Sequence, residues 1–145
     1  MSYWDTSSLG KLYLPEPDSA AFAQKATVDP AIVTTRLAVY EMRRVAFRKE
    51  TEGLIPSGTA ETVLTQVTQD ITSGQLRIVE LDARVETDFN AIMATCYRHT
   101  PPLPIRTLDA LHLASARADN QTELVATDKR MRDAAKLLGL SVFPV

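Results

Sequence analysis

The sequence predicts an α/β fold, in which a parallel sheet of about four to five strands is flanked by helices on both faces. Short apolar stretches that suit strands alternate along the chain with longer amphipathic stretches that suit helices. Strands separated by helices connect through right-handed crossovers and therefore run parallel. No repeat, low-complexity tract or long linker interrupts this alternation, so we expect a single domain over residues 1–145.

The first half of the chain supplies two strands and three helices. In order they are a strand at SYW, helices at TSSLGKLYL and DSAAFAQKA, a strand at AIVTT and a long helix from Arg36 to about Glu50. Pro15 and Pro17 end the first helix, and Gly53 and Pro56 end the long one. The long helix has residues recurring at helical spacing that predict its packed face: Leu37, Tyr40 or Glu41, Arg44 and Phe47.

The second half continues the alternation. A helix capped by Ser57 or Thr59 runs to about Thr72, and Gly74 closes it. The remaining predicted elements are a strand at LRIVEL, an amphipathic helix at ARVETDFNAIMATCYRH, an alanine-rich helix at TLDALHLASARAD, a strand at ELVAT, a helix at DKRMRDAAKLLG and a last strand at SVFPV.

Composition excludes several classes of protein. A net charge of −2 indicates no overall nucleic-acid affinity, although local basic patches remain open. Cys96 is the only cysteine, which excludes an intramolecular disulfide and a cysteine-rich zinc site. No segment resembles a signal peptide, and no apolar run reaches the ~20 residues that span a bilayer. We therefore expect a cytoplasmic protein that does not contact membranes.

Four acidic residues occupy related places in this pattern. Asp5 and Asp128 each follow a predicted strand, and Asp109 lies in the first turn of the alanine-rich helix. Ligands of open parallel sheets bind at the carboxyl ends of the strands, where these aspartates belong. Glu41 reaches the same edge only if its helix leans over it. A cluster of carboxylates at that edge suits a hard divalent cation.

Each of these acids also has a purely structural interpretation. Asp5 and Asp128 suit helix N-caps, and Asp109 complements a helix dipole. Glu41 could pair with Arg44 or Arg48. Composition and spacing leave both interpretations open.

Four local motifs resemble the PIN-domain family. DTSSLGKLY resembles the opening of PIN domains, and TTRLAVYEMRR resembles their second block, in which a hydroxyl residue precedes a glutamate. RTLDALHLASA, the most specific match, resembles the third block, and LVATDKRMRDAAKLLGLSVF resembles the fourth. The blocks occur in the family's order and cover essentially the whole chain. Within the family, the chain looks most similar to VapC-type toxins of bacterial toxin–antitoxin pairs.

The resemblance implies a Mg²⁺-dependent endoribonuclease, with Mn²⁺ as a substitute, that hydrolyses RNA phosphodiesters with a metal-activated water. Its catalytic acids would be Asp5, Glu41, Asp109 and Asp128. Of these, Asp5, Asp109 and Asp128 would hold the metal, with the hydroxyls of Thr6 and Thr127 beside them. The implied partners are an RNA substrate, a cognate antitoxin and a second copy of the chain, paired through the Glu41 helix and the helix after it.

Basic residues near the acids are candidates for RNA contacts. They are Arg43, Arg44, Arg48, Lys129 and Arg130. The alternative is that they are solvated helix faces. His112, between Leu111 and Leu113, is expected to be a buried structural residue, and Phe47 is expected to pack in the core.

Two other functions compete with the nuclease. A receiver-like or phosphatase-like domain also uses aspartates at strand ends, but it would need an acidic pair after the first strand, where only Asp5 stands. The second is a catalytically inactive PIN-like module for RNA binding or assembly.

Overall fold

The computed structural model describes all 145 residues and contains seven helices and five strands. In chain order these are β1 (Ser2–Trp4), α1 (Thr6–Tyr13), α2 (Ser19–Val28), β2 (Ile32–Thr35), α3 (Arg36–Thr51), α4 (Thr59–Ser73), β3 (Leu76–Val79), α5 (Ala83–Arg98), α6 (Thr107–Ala118), β4 (Glu123–Val125), α7 (Lys129–Leu137) and β5 (Ser141–Phe143). All strands are parallel, in the order β3-β2-β1-β4-β5. The predicted fold class is confirmed. None of the helices is long and apolar enough to cross a membrane.

The short first strand, β1, is the middle strand of the sheet. Tyr3 pairs with Val33 of β2 on one side and with Leu124 of β4 on the other. The chain continues from β1 to β2 in one direction and later returns to β4 in the other, so the direction of winding reverses at β1. A crevice opens at such a reversal, outside the carboxyl ends of the strands.

Alternate side chains of β1 belong to two separate cores. Tyr3 packs with residues of α5, α6 and α7, including Ile92, Leu113 and Met131. Trp4 packs with residues of α1 to α4. Because neighbouring side chains of a strand point to opposite faces, the sheet is covered by helices on both sides.

The packed face of α3 differs from the predicted stripe. Its buried residues are Ala38, Val39, Met42 and Ala46. Tyr40 and Phe47 are instead 59% and 47% exposed, so the prediction that Phe47 packs in the core was wrong. The small side chains of the two alanines allow α3 to pack closely against its neighbours. One of these is α1, where a Cβ added at Gly10 would lie 3.6 Å from the sulfur of Met42. Helical spacing alone did not distinguish the small packed residues from the larger exposed ones.

The start of α4 also differs from the prediction. Its N-cap is Gly58, with φ of 87°, rather than Ser57 or Thr59. The carboxylate of Glu50, near the end of α3, accepts hydrogen bonds from the backbone N–H groups of Gly58 (2.8 Å) and Ala60 (3.1 Å). A side chain from the preceding helix therefore satisfies the helix start, which local sequence rules do not consider.

Candidate active site

A cavity of about 540 Å³ lies at the carboxyl edge of the sheet, beside the end of β1. All four acidic residues identified in the sequence line it: Asp5, Glu41, Asp109 and Asp128. Thr6, Arg106 and His112 are also part of its wall. The structure thus brings together four residues that are widely separated in the chain.

Asp5 joins the end of β1 to the start of α1. Its backbone N–H donates to the carbonyl of Val125 at 3.1 Å, which holds it against the end of β4. Its carboxylate Oδ1 accepts a hydrogen bond from the backbone N–H of Ser8 at 2.8 Å, while Oδ2 accepts none from the protein. Burial raises the pKa of Asp5, and the Ser8 hydrogen bond offsets this only in part. Asp5 is both a helix cap and a buried carboxylate with one free oxygen.

Asp128 repeats this arrangement at the end of β4. Its Oδ1 accepts from the backbone N–H of Met131 at 2.9 Å and so caps α7, leaving Oδ2 without a hydrogen bond. Asp109 lies in the first turn of α6, is buried, and uses only Oδ2 in a hydrogen bond. Each of the three aspartates therefore keeps one carboxylate oxygen available.

Arg106 connects two of these aspartates. Its Nε donates to Asp109 Oδ2 at 3.1 Å, and its Nη2 lies 4.0 Å from Asp128 Oδ2. The hydrogen bond to Asp109 raises the pKa of the guanidinium. The side chain is 65% exposed, so solvent weakens both contacts. Sequence reasoning missed Arg106, although a basic residue three positions before a first-turn aspartate was the available signal.

Glu41 is held by two donors on different elements. The Thr6 hydroxyl donates to Glu41 Oε1 at 2.6 Å, and His112 Nε2 lies 2.8 Å from the same oxygen. Burial would raise the pKa of Glu41, but the hydrogen bonds from His112 and Thr6 outweigh it and the pKa is lowered. Glu41 pairs with neither Arg44 nor Arg48, so its predicted structural alternative, a salt bridge within α3, is absent.

The donor set of the cavity fits a hard divalent cation in kind, although the side chains are not gathered into a finished metal site. No three acidic, histidine or cysteine side chains lie close enough together to hold a metal ion as they stand. The free oxygens of Asp5, Asp109 and Asp128 are nevertheless the ligand type that Mg²⁺ and Mn²⁺ prefer. Mg²⁺ retains several waters, which can bridge to carboxylates outside direct ligation distance.

A second cavity of about 290 Å³ adjoins the first, since Thr6 and Ser7 line both. It carries the basic side chains of Lys11, Arg48 and Lys49. Lys11 is already paired with Asp18 and Glu16, whereas Arg48 and Lys49 form no ion pair. Thr127 is exposed and lines this basic cavity rather than the acidic one.

The other predicted RNA-binding residues lie elsewhere. Arg43 lines a separate groove between α3 and α4, together with Glu61. Arg44, Lys129 and Arg130 are exposed and line neither cavity, and Lys129 is paired with Asp133 at 2.6 Å. Of the five predicted basic residues, only Arg48 borders the region beside the carboxylates.

Comparison with known proteins shows the family of this chain. The family model of the PIN domain matches residues 2–137. The chain belongs to the PIN-domain family. This PIN domain is 30% identical over 142 residues to the ribonuclease VapC46 of Mycobacterium tuberculosis, a match that covers 97% of the chain and 94% of VapC46.

Solved structures share the fold of this PIN domain. The crystal structure of FitAcB from Neisseria gonorrhoeae matches with a TM-score of 0.72 and 19% identity, covering 99% of this chain and 96% of the other. The crystal structure of VapBC2 from Rickettsia felis bound to a promoter DNA fragment matches with a TM-score of 0.67 and 16% identity. The match covers 98% of this chain and 97% of the other.

Proposed function

We propose that this PIN domain is a divalent-metal-dependent endoribonuclease and the toxin of a type II toxin–antitoxin pair. The observation that carries the proposal is the cavity at the end of β1, where Asp5, Asp109 and Asp128 each present an oxygen without a protein hydrogen bond. Helix capping explains one oxygen of Asp5 and one of Asp128. Helix capping does not explain why a third aspartate, the buried Asp109, shares their cavity.

The three aspartates are the proposed holders of Mg²⁺, or of Mn²⁺ in its place. When bound, the cation lowers the pKa of a coordinated water and neutralises charge on the phosphate under attack. The raised pKa of Asp5 supports this assignment, because a buried carboxylate without a cation carries an uncompensated cost. We propose that the site holds at least one metal ion.

Glu41 is the proposed residue that orients the attacking water. Its Oε1 is occupied by Thr6 and His112, and its Oε2 has no protein hydrogen bond and remains available as an acceptor. A lowered pKa keeps Glu41 ionised at neutral pH. That state suits a group that accepts a hydrogen bond from water and fixes its direction.

RNA would reach the acidic cavity along the second cavity, which Lys11, Arg48 and Lys49 line and which is called the basic groove below. Arg48 and Lys49 are free of ion pairs and line the adjoining cavity. Arg106 stands next to Asp109 and Asp128 and is mostly exposed, so it can turn from the carboxylates to a phosphate. Its planar fork suits phosphate oxygens. These cations would offset the repulsion between RNA and an acidic centre.

The proposed protein partners are an antitoxin and a second copy of the chain. The relationship to VapC46 and the shared fold with VapBC2 support the antitoxin. For the homodimer we propose α3 and α4 as the contact. Tyr40, Phe47 and Leu54 are exposed apolar residues spaced seven apart along α3 and the turn after it.

The experiment that tests the nuclease is cleavage of a panel of structured RNAs by purified, antitoxin-free protein. Reactions with Mg²⁺ or Mn²⁺ are compared with EDTA, and wild type with Asp5→Asn. Metal-dependent cleavage that the substitution abolishes is the expected result. Cleavage that survives in Asp5→Asn contradicts the site. A folded protein that neither cleaves nor is thermally stabilised by metal is the inactive binding module instead.

A further inference from the structure

A chain of hydrogen bonds runs from the core of the protein to the cavity through His112. The hydroxyl of Tyr3 lies 2.7 Å from His112 Nδ1, and His112 Nε2 lies 2.8 Å from Glu41 Oε1. Tyr3 is completely buried, His112 is 3% exposed, and the Glu41 side chain is 27% exposed. The three groups therefore form one path from the interior to the edge of the cavity.

The direction of the first hydrogen bond follows from the burial of Tyr3. A phenol has an ordinary pKa of about 10 and so keeps its proton at neutral pH, and the hydroxyl of Tyr3 is completely buried. This hydroxyl forms a 2.7 Å hydrogen bond with Nδ1 of His112. The neighbouring hydroxyls of Thr34 and Ser115 donate elsewhere, to the carbonyls of Trp4 and Leu111. Leaving a buried donor unpaired is costly, so Tyr3 donates to Nδ1.

The direction of the second hydrogen bond follows from the first. A neutral imidazole carries its hydrogen on one nitrogen and accepts at the other. Since Nδ1 accepts from Tyr3, the hydrogen lies on Nε2, which faces Glu41. A carboxylate accepts only, so Nε2–H donates to Oε1. The Thr6 hydroxyl oxygen also lies near Nε2, but at 3.2 Å it is farther away than Glu41 Oε1.

We propose that Tyr3 and His112 are positioning residues for Glu41. The Tyr3 phenol fixes the ring of His112 as the Nε2–H tautomer, and the ring holds Glu41 Oε1 so that Oε2 faces its water in one orientation. The proposal rests on the proposed function for the role of Glu41. Its chemical core, the tautomer of His112, does not depend on RNA cleavage and can be measured without substrate or metal.

A histidine that merely fills space predicts something different. Its ring needs no defined tautomer, and replacement by any residue of similar bulk should be equivalent. The two interpretations therefore differ in a spectroscopic signature and in the ranking of substitutions, and both differences can be measured.

The decisive experiment is a two-bond ¹H–¹⁵N correlation spectrum of the histidine rings in uniformly ¹⁵N-labelled, metal-free protein at neutral pH. The chain has two histidines, and a His99→Gln variant assigns the signals. His99 is exposed and its Nδ1 lies 2.8 Å from the Pro101 carbonyl, so it serves as an internal contrast. We expect His112 as the neutral Nε2–H tautomer, and a change of its pattern in Tyr3→Phe. An imidazolium or an Nδ1–H ring at His112 overturns the proposal.

Kinetics then test the consequence for Glu41. His112→Gln retains an N–H donor that can reach Glu41, whereas His112→Leu retains none. We expect His112→Leu to lower kcat by about 10- to 100-fold, as loss of a hydrogen bond to a charged group does. His112→Gln should recover part of this loss, with KM little changed in both. Equal kcat in the two variants, or wild-type kcat in His112→Leu, overturns the proposal.

Failure of the inference and failure of the nuclease assignment give different results. A wild-type protein that cleaves no RNA rejects the nuclease and with it the role at Glu41, whatever the tautomer. A cleaving protein with an Nδ1–H ring at His112 rejects only the inference. If His112→Leu does not fold, the spectra of wild type and Tyr3→Phe still decide the tautomer.

Discussion

The carboxylate of Asp5 accepts a 2.8 Å hydrogen bond from the backbone N–H of Ser8, and Asp5 is only 3% exposed. The same side chain thus starts a helix and holds a buried charge. Asn caps a helix about as well as Asp, so Asp5→Asn keeps the cap and removes the charge. We expect metal-free Asp5→Asn to melt at the same temperature as wild type or higher, and to lose both cleavage and stabilisation by Mg²⁺. Scanning calorimetry with and without metal checks this.

The matched control is Asp5→Ala, which loses both the charge and the cap. It should be less stable than Asp5→Asn by about 1 kcal/mol, the usual cost of a lost N-cap. Metal stabilisation of Asp5→Asn equal to that of wild type would show that Asp5 does not hold the cation.

The raised pKa of Asp5 predicts a pH dependence of stability. Its folded pKa lies above the unfolded value near 3.9, so the folded state binds a proton more tightly. The cost of ionising Asp5 is absent below the unfolded pKa and is complete above the folded pKa. The stability advantage of Asp5→Asn over wild type should therefore be largest near pH 7 and shrink as pH falls toward 4. Urea titrations of both proteins at several pH values measure it, and an advantage that grows on acidification is the opposite result.

Arg106 predicts a separation of metal binding from cleavage. Its guanidinium lies against Asp109 and Asp128, where it opposes the approach of a cation. Arg106→Ala should bind Mn²⁺ about two- to fivefold more tightly by calorimetry, the range of an exposed ion pair, and cleave RNA more slowly. Arg117→Ala, at the other end of α6 and paired with Asp88, is the control. Unchanged or weaker metal binding in Arg106→Ala would contradict the prediction.

The basic groove predicts a change in salt dependence. Each phosphate contact with single-stranded RNA contributes about −0.7 to the slope of log K against log salt concentration. The double substitution Arg48→Gln and Lys49→Gln should reduce the slope for RNA binding by up to about 1.4. Arg43→Gln, on the same helix but lining a different groove, should leave it unchanged. Fluorescence anisotropy with Asp5→Asn as the parent protein avoids cleavage, and equal slopes in all variants would remove the groove from the RNA path.

The packed face of α3 predicts unequal costs for two large residues. Met42 is completely buried and Phe47 is 47% exposed. Met42→Ala should lower the free energy of unfolding by about 2–5 kcal/mol. Phe47→Ala should change it by about 0.5 kcal/mol or less. If denaturant titrations show equal losses in the free energy of unfolding, Phe47 packs in the core as the sequence pattern first predicted.

Much of the fold was predictable because its elements are locally encoded. The alternation of strands and helices and the caps at Asp5 and Asp128 depend on residues close in sequence. In a parallel sheet the carboxyl ends of all strands lie at one edge. This predicted that the aspartates after the strands lie close together, and both line one cavity. The face of α3 was not predictable, because alanines pack as closely as large residues while contributing little to an apolar pattern.

The contacts made by the site residues depended on three-dimensional placement. His112 was expected to be buried, and it is, but its link between Tyr3 and Glu41 joins residues 109 and 71 positions away. Arg106 has its acidic partner three residues ahead and a second one on another element. Thr127 follows β4 in sequence yet lines the neighbouring cavity. Spacing in the sequence gives the edge of the sheet but not the direction of each side chain.

The central position of β1 also determines when the cavity can exist during synthesis. Ser2–Trp4 pair with Glu123–Val125, so β1 gains its second neighbour only after residues 123–125 have been made. Such distant pairings form late and slowly, because a long loop must close first. A nascent or prematurely ended chain lacks β4 and Asp128 together. Under the proposed function, a ribosome must therefore translate past Asp128 before its product can attack RNA.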